Sequence, residues 1–223
     1  MLTPQPASSQ GRPEGIDAGR MEAFSDGVIA IIVTVMVLEL RPPEGVGFDA
    51  LFPLWPTFLA YALSFSLVAI YWVNHHNLLH AARRVGNDTL WFNVHFLFWL
   101  SLFPFAAAYI GDTRGAPFSV ALYAGLSTVV AAAYALLNRN LVRRNPGATS
   151  AAGGSVRRLK NLAAIGLTAS AIPLAFVNEA IAVVLLAAPA IAYVVPSVRD
   201  APIASGERDR RSVRPQKQAE GTS

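Results

Sequence analysis

Long apolar segments separated by short polar connections run through most of the chain. The first apolar segment extends from Gly27 to Leu38, with charged residues on both sides of it. Five further apolar segments follow, at residues 52–82, 87–110, 117–141, 161–177 and 180–196. Because a helix that faces lipid needs about 20 apolar residues to cross the hydrocarbon core, the pattern predicts six transmembrane helices, the first of them short.

The first predicted helix is unusual because ionisable residues lie at its entrance. Arg20, Glu22 and Asp26 precede the apolar run, and Glu39 follows it. A charged side chain inside the bilayer costs about 2.5–3.5 kcal/mol on insertion scales. We therefore expect this helix to lie among other helices or beside water, as is typical of a helix that borders a permeation pathway.

Composition supports an integral membrane protein with an all-α, polytopic fold. Of the 223 residues 53% are hydrophobic and only 14% are charged, whereas about 25% of the residues in a soluble protein are charged. Cysteine is absent, which excludes disulfides and thiolate metal sites. Residues 1–19 and 198–223 are polar or basic and are predicted to be a disordered N-terminal arm and a disordered C-terminal tail. The transmembrane domain is then residues 20–197.

The basic residues predict the orientation of the six helices. With six spans, the N-terminal arm, the second and fourth connections and the tail lie on one side of the membrane, and they hold all the basic residues except Arg41 and Arg114. Cytoplasmic loops are enriched in Lys and Arg, so both termini are predicted to be cytoplasmic. The same distribution accounts for the basic character of the chain, and no nucleic-acid partner is expected.

One face of the first helix has the features of a pore lining. Each helical residue turns about 100°, which places Ile31, Thr34, Val35 and Leu38 on one face. Asp26 lies about 140° from Ile31 and is expected to point into a contact between helices. Copies of this face around a common axis would stack apolar rings over about 10 Å, and such rings gate by dewetting while a Thr34 hydroxyl replaces ion hydration. Ordinary helix packing would produce the same periodicity and stays open as an alternative.

The start of this helix carries a family resemblance. The string Arg20-x-x-x-Phe24-Ser25-Asp26, leading into an apolar helix, resembles the transmembrane protein 175 family of potassium channels, and this chain looks like a bacterial member with six spans. The resemblance covers the first three spans, with Trp72-x-x-His75-His76 in the second, Asn93 in the third and Pro104-Phe105 near the far end of the third. It implies a potassium-preferring cation channel in a bacterial inner (plasma) membrane. Its expected partners are K⁺ as the permeant ion, membrane lipid and three further copies in a homotetramer, and no cofactor is expected.

The resemblance also implies roles for individual residues. Ile31 corresponds to the constriction of the family, Thr34 to its pore threonine, and Val35 and Leu38 to further apolar rings. The motif residues Phe24, Ser25 and Asp26 are expected to pack against the second span and to anchor the pore helix there. The residues that receive this packing are Trp72, His75 and His76. Arg20 is expected to pair with a carboxylate or a helix end, and Glu22 is one candidate.

Two other functions compete with a channel, a coupled transporter and a membrane-embedded metalloenzyme. A secondary transporter coupled to protons or other cations is the main alternative, but it favours charges near the bilayer midplane, and here the charges lie at span ends. His75, His76 and His80 have a spacing that can bind zinc, and His95 could join them. Because no carboxylate or cysteine accompanies them within their segment, hydrogen bonding is expected instead, and no metal is assigned. The sequence shows no arrangement of a nucleophile, a base and a residue that orients the base. We therefore expect neither a metalloenzyme nor another enzyme.

Overall fold

A computed structural model describes residues 18–82, 85–145 and 154–199 of the chain. The predicted disordered arm and tail lie outside them except at their edges, Ala18 and Gly19 at one end and 198–199 at the other. Both edges are helical. The described chain consists of helices joined by short turns, which confirms the predicted all-α class.

The described part of the chain contains eight α-helices in succession and one 3₁₀ turn, Phe52–Leu54, which joins the second helix to the third. Their bounds are α1 Ala18–Leu38, α2 Phe48–Leu51, α3 Trp55–His80, α4 Asn87–Leu100, α5 Phe103–Asp112, α6 Pro117–Arg144, α7 Gly154–Leu174 and α8 Glu179–Arg199.

Four stretches of the described chain are long and apolar enough to cross a membrane. They are Ala18–Leu38, Phe48–His80, Asn87–Asp112 and Pro117–Arg144. By length and composition, these four stretches are those of an integral membrane protein. Helices α7 and α8 occupy the positions of the fifth and sixth predicted spans. The count of six spans and the cytoplasmic location of both termini stay predictions.

The third predicted span is one apolar segment in the sequence but two helices in the structure. Helix α4 ends at Leu100 and α5 begins at Phe103, with Pro104 in its first turn. Proline has no N–H to donate to the preceding turn, and it is favoured at the start of a helix for the same reason. Ser101 Oγ donates to the carbonyl of Phe98 at 2.7 Å and so satisfies one carbonyl at the break.

Helix α6 lies at the centre of the bundle, where it packs against α4, α5, α7 and α8, while α1 packs against α3, α4 and α5. The core between them is rich in aromatic rings. Tyr71, Phe96 and Tyr134 form a cluster with ring centroids 5.6 Å apart. The buried Tyr123 hydroxyl lies 2.9 Å from Ser64 Oγ, so its polar end has a partner inside the bundle.

Helices α3 and α5 approach each other closely at one glycine. A Cβ atom at Gly111 of α5 would lie 2.7 Å from Oγ1 and 2.9 Å from Cγ2 of Thr57 in α3. Only a residue without a side chain fits there without displacing Thr57. This contact places α5 directly on the helix that also supports α1.

Candidate functional site

Helix α1 buries a single stripe against the rest of its own protomer. The buried residues recur at intervals of three or four, as expected for one helix face. They are Met21, Ser25, Ile29, Ile32 and Met36. With about 100° per residue, this stripe is centred about 120° away from Ile31.

The four predicted pore-lining residues lie outside the buried stripe. Ile31, Thr34, Val35 and Leu38 are all exposed in the single protomer, with 63% of Ile31 accessible. Thr34 Oγ1 donates to the carbonyl of Ile31 at 2.9 Å. The lone pairs of that hydroxyl stay available on the exposed face, because a hydroxyl has one donor and two acceptor sites.

Ser25 is the first point at which α1 is tied to other helices by polar groups. Asn93 of α4 donates from Nδ2 to Ser25 Oγ at 2.8 Å. The other end of the same amide, Oδ1, lies 2.7 Å from His75 Nε2 of α3 and accepts its hydrogen. Ser25 Oγ itself donates to the carbonyl of Met21 at 2.8 Å. All three side chains are buried, so these bonds join α1, α3 and α4 inside the bundle.

Asp26 makes the second tie. Trp72 of α3 donates from Nε1 to Asp26 Oδ1 at 2.9 Å, near the surface of the protomer. The carboxylate therefore points toward α3 and away from the face that carries Ile31. Phe24 differs from its motif neighbours, since its ring is 56% exposed and lies within about 20° of Ile31 on the helix.

Glu22 makes the third polar contact, with two histidines of α3 that the sequence does not pair with it. His76 Nδ1 lies 2.7 Å from Glu22 Oε1, and His80 Nδ1 lies 3.9 Å from the same oxygen. Glu22 was considered as a partner for Arg20, which is exposed on α1. No local signal predicts the contact, because Glu22 and the histidines belong to different predicted spans.

The supporting helix α4 is itself fixed at its first turn. Asp88 forms an ion pair with Arg144 at the end of α6, with Oδ1 and Nη2 2.5 Å apart. Asn140 donates to Asp88 Oδ2 at 2.7 Å, and Thr89 Oγ1 donates to Asn140 Oδ1 at 2.7 Å. Asn93, which bonds Ser25, lies about one turn further along this anchored helix.

Helix α1 thus has one exposed apolar face, which carries the hydroxyl of Thr34. On its other side, hydrogen bonds and an ion pair connect it to α3 and α4. This geometry brings Ser25, Asp26, Trp72, His75 and His76 together and adds Glu22 and His80, while the role of these residues in anchoring a pore helix stays a prediction. Asn93 lies at the centre of this arrangement, and the sequence, which includes it in the pattern of the resemblance, assigns it no role. A buried asparagine within an apolar span was the signal that could have found it.

Comparison with known proteins gives the same picture. The profile of the family described as endosomal/lysosomal potassium channel TMEM175 matches residues 20–104. A potassium channel of Chryseobacterium sp. (strain P1-3) is 50% identical over 126 residues, which are 56% of this chain and 65% of that protein. The endosomal/lysosomal proton channel TMEM175 of Gallus gallus is 36% identical over 141 residues, which are 57% of this chain and 28% of that protein. The chain thus spans less than two thirds of the length of these curated relatives.

A solved structure extends the similarity beyond the matched region. The crystal structure of a lysosomal potassium-selective channel TMEM175 homolog from Chamaesiphon minutus superimposes with a TM-score of 0.71 at 28% identity. The superposition covers 81% of this chain and 97% of that one. The motif residues, the family profile and the fold thus agree in their similarity to the TMEM175 family.

Proposed function

We propose that this chain forms a potassium-preferring cation channel in which α1 of each subunit lines a central pore. The family is one of ion channels and not of enzymes, so ions cross the membrane without a chemical step. The protein is an integral membrane protein, and its bacterial relatives support a location in the plasma membrane. A homotetramer within membrane lipid is the proposed assembly, and K⁺ is the proposed permeant ion.

The exposure of one face of α1 is the observation on which the proposal rests. Ile31, Thr34, Val35 and Leu38 face away from their own protomer, opposite the stripe that packs into the bundle. At 1.5 Å per residue, Ile31 and Leu38 lie about 10 Å apart along the helix. In an assembly with α1 at its axis these residues would form successive apolar rings, with Ile31 as the proposed constriction.

The same face offers few oxygen atoms to a passing ion. Thr34 contributes an exposed hydroxyl whose oxygen can still accept after it donates to the Ile31 carbonyl, and oxygen ligands of this kind can replace part of the hydration shell of K⁺. We therefore assign the preference for K⁺ to Thr34. Because the neighbouring rings are apolar, the expected preference is modest.

Proton permeation is the second candidate, since the Gallus gallus relative is named as a proton channel. The two can be distinguished in the same liposomes, by following K⁺ efflux with an ion-selective electrode and internal pH with a trapped dye. A carrier is distinguished from either by recordings in planar bilayers, because only a channel gives unitary current steps.

The decisive experiment replaces Ile31 by asparagine in the protein reconstituted into liposomes. Ile31→Asn should raise the rate of K⁺ flux several-fold, because a polar ring lowers the free energy of wetting at the constriction. Ile181→Asn is the matched control. Ile181 is also an exposed isoleucine, with 50% of its surface accessible, but it lies in α8.

Flux through Ile181→Asn should equal that of the wild type. If Ile31→Asn conducts no better than Ile181→Asn while both proteins assemble normally, α1 does not line the pore at this residue.

A further inference from the structure

Three side chains with metal-binding atoms converge where α1 begins and α3 ends. Glu22 contributes a carboxylate from α1, and His76 and His80 contribute imidazoles from the last turns of α3. Each residue offers one ligand atom, an imidazole nitrogen or a carboxylate oxygen, and these three atoms lie within 4.8 Å of one another. The closest pair is His76 Nδ1 and Glu22 Oε1, at 2.7 Å.

The residue types and their spacing suit a divalent transition metal. Imidazole nitrogen and carboxylate oxygen are common ligands of Zn²⁺, and two histidines four residues apart on a helix are a recurrent zinc-binding arrangement. With bonds of about 2.0–2.2 Å, ligand atoms around tetrahedral zinc lie about 3.3 Å apart. The observed distances of 2.7 and 3.9 Å to Glu22 Oε1 lie on either side of that value. Small rotations of the side chains would therefore equalise them.

The site is accessible and its charge favours a cation. The exposed fractions of the side chains are 20% for Glu22, 44% for His76 and 76% for His80. A metal ion could therefore enter from solvent and keep water as its remaining ligand. Arg20 lies two residues before Glu22, which is about 200° around the helix. Its cationic side chain thus projects from the other side of α1 and does not occupy the site.

Neighbouring rings hold the two histidines in place. Trp72 stacks on His76 with ring centroids 6.1 Å apart, and His76 stacks on His80 at 5.3 Å. Trp72 is the residue that donates to Asp26. A metal bound here would thus join α1 to α3 beside the hydrogen bond between Asp26 and Trp72.

We propose that Glu22, His76 and His80 form a binding site for a divalent transition-metal ion, for which Zn²⁺ is the appropriate probe. The sequence assigned no metal because a carboxylate was absent from the histidine segment. Folding supplies that carboxylate from another helix. The site needs no ion conduction to operate, so its test is independent of the proposed channel function.

The test is a titration of the full-length protein with ZnCl₂ by isothermal titration calorimetry, in detergent at pH 7.5. The protein is purified through a tag that contains no histidine. We expect one zinc ion per chain. His80→Ala should weaken binding about 10–100-fold or more, which is the range for losing even an outer-shell partner of a metal site. His80 suits this test because its side chain is the most exposed of the three, so the contact between His76 and Glu22 survives.

His95→Ala is the control, because His95 lies in α4 and contacts Trp99. It should bind zinc as the wild type does. Glu22→Gln should weaken binding as His80→Ala does, since it removes the negative charge. A second readout is thermal melting, because a ligand that binds only the folded protein raises its melting temperature. Zinc should stabilise the wild type and His95→Ala but not His80→Ala.

Two results would overturn the proposal. One is a wild-type protein that binds no zinc, in which case the three residues form an ion pair and a hydrogen bond only. The other is His80→Ala binding as tightly as His95→Ala, because the zinc would then be held elsewhere on the chain.

Discussion

Two adjacent residues, Ser25 and Asp26, connect α1 to two different helices. Successive helical residues point about 100° apart. The side chain of Ser25 therefore turns into the core, where Asn93 reaches it, while Asp26 turns toward α3 and accepts from Trp72. A short polar side chain followed by a carboxylate thus fixes both the depth and the rotation of α1.

Replacing Trp72 by phenylalanine removes the indole N–H and keeps an aromatic ring. Trp72→Phe should lower the free energy of unfolding by about 1 kcal/mol, because one hydrogen bond to a carboxylate is lost at a partly exposed position. The measurement is thermal melting of the purified protein in detergent. Trp91→Phe is the control, since Trp91 is a mostly exposed indole on α4. Equal melting temperatures for the two variants would contradict a stabilising role for the bond to Asp26.

Some of these residue contacts could be predicted from the sequence, and others could not. The angle of Asp26 follows from helix geometry alone, and a charged side chain within an apolar span has to find a partner. The identity of that partner came from the family resemblance. The pairing of Glu22 with His76 depends on how α1 and α3 lie against each other, which no local pattern encodes. Asn93 belongs to the pattern of the resemblance, but no local signal shows that it joins Ser25 to His75.

Helix α1 is apolar on nearly every side, and this decides what its sequence can reveal. The buried Ile29, Ile32 and Met36 are no more hydrophobic than the exposed Ile31 and Leu38. Periodicity could therefore define the two faces but could not tell which one packs inside the protomer. The break between α4 and α5 is a different case. Pro104 marks it in the sequence, but the apolar run across it favoured one continuous span.

The contact between α5 and α3 gives a prediction about Gly111. Gly111→Ala should lower the free energy of unfolding by about 1–3 kcal/mol, the usual range for overpacking, because Thr57 is branched at Cβ and has little freedom to move. Gly125→Ala is the control, since a Cβ at Gly125 meets nothing within 4 Å. It should be neutral or stabilising by up to about 1 kcal/mol, because alanine favours a helix.

Chemical denaturation of the two variants in detergent provides the comparison. If Gly111→Ala proves as stable as Gly125→Ala, the two helices do not approach as closely as described.

A single subunit leaves the proposed pore-lining face of α1 largely uncovered. Ile31, Val35 and Leu38 keep 63%, 37% and 76% of their surface exposed in one protomer, so the proposed pore needs further copies of the chain. The all-helical membrane fold, by contrast, could be predicted in outline from hydropathy. The number of subunits could not be predicted in this way, because the sequence of one chain does not specify how many copies assemble.

Subunit number can be measured directly. Light scattering of the protein in mild detergent, corrected for bound detergent, should give a protein mass of about 95 kDa, four times the 23.8 kDa of one chain. The mass should not change on dilution over a tenfold range. A monomer or dimer mass under conditions that preserve K⁺ flux would contradict the tetrameric assembly.

The polar contacts between α1 and other helices lie in the first half of α1. Glu22, Ser25 and Asp26 all bond other helices, whereas from Gly27 to Leu38 the described side chains form no hydrogen bond to another helix. Contacts between apolar groups are non-directional, so this second half can tilt by small amounts without breaking a specific bond. If α1 moves, we therefore expect the end that carries Glu22, Ser25 and Asp26 to stay in place. The end near Leu38 should then be displaced furthest.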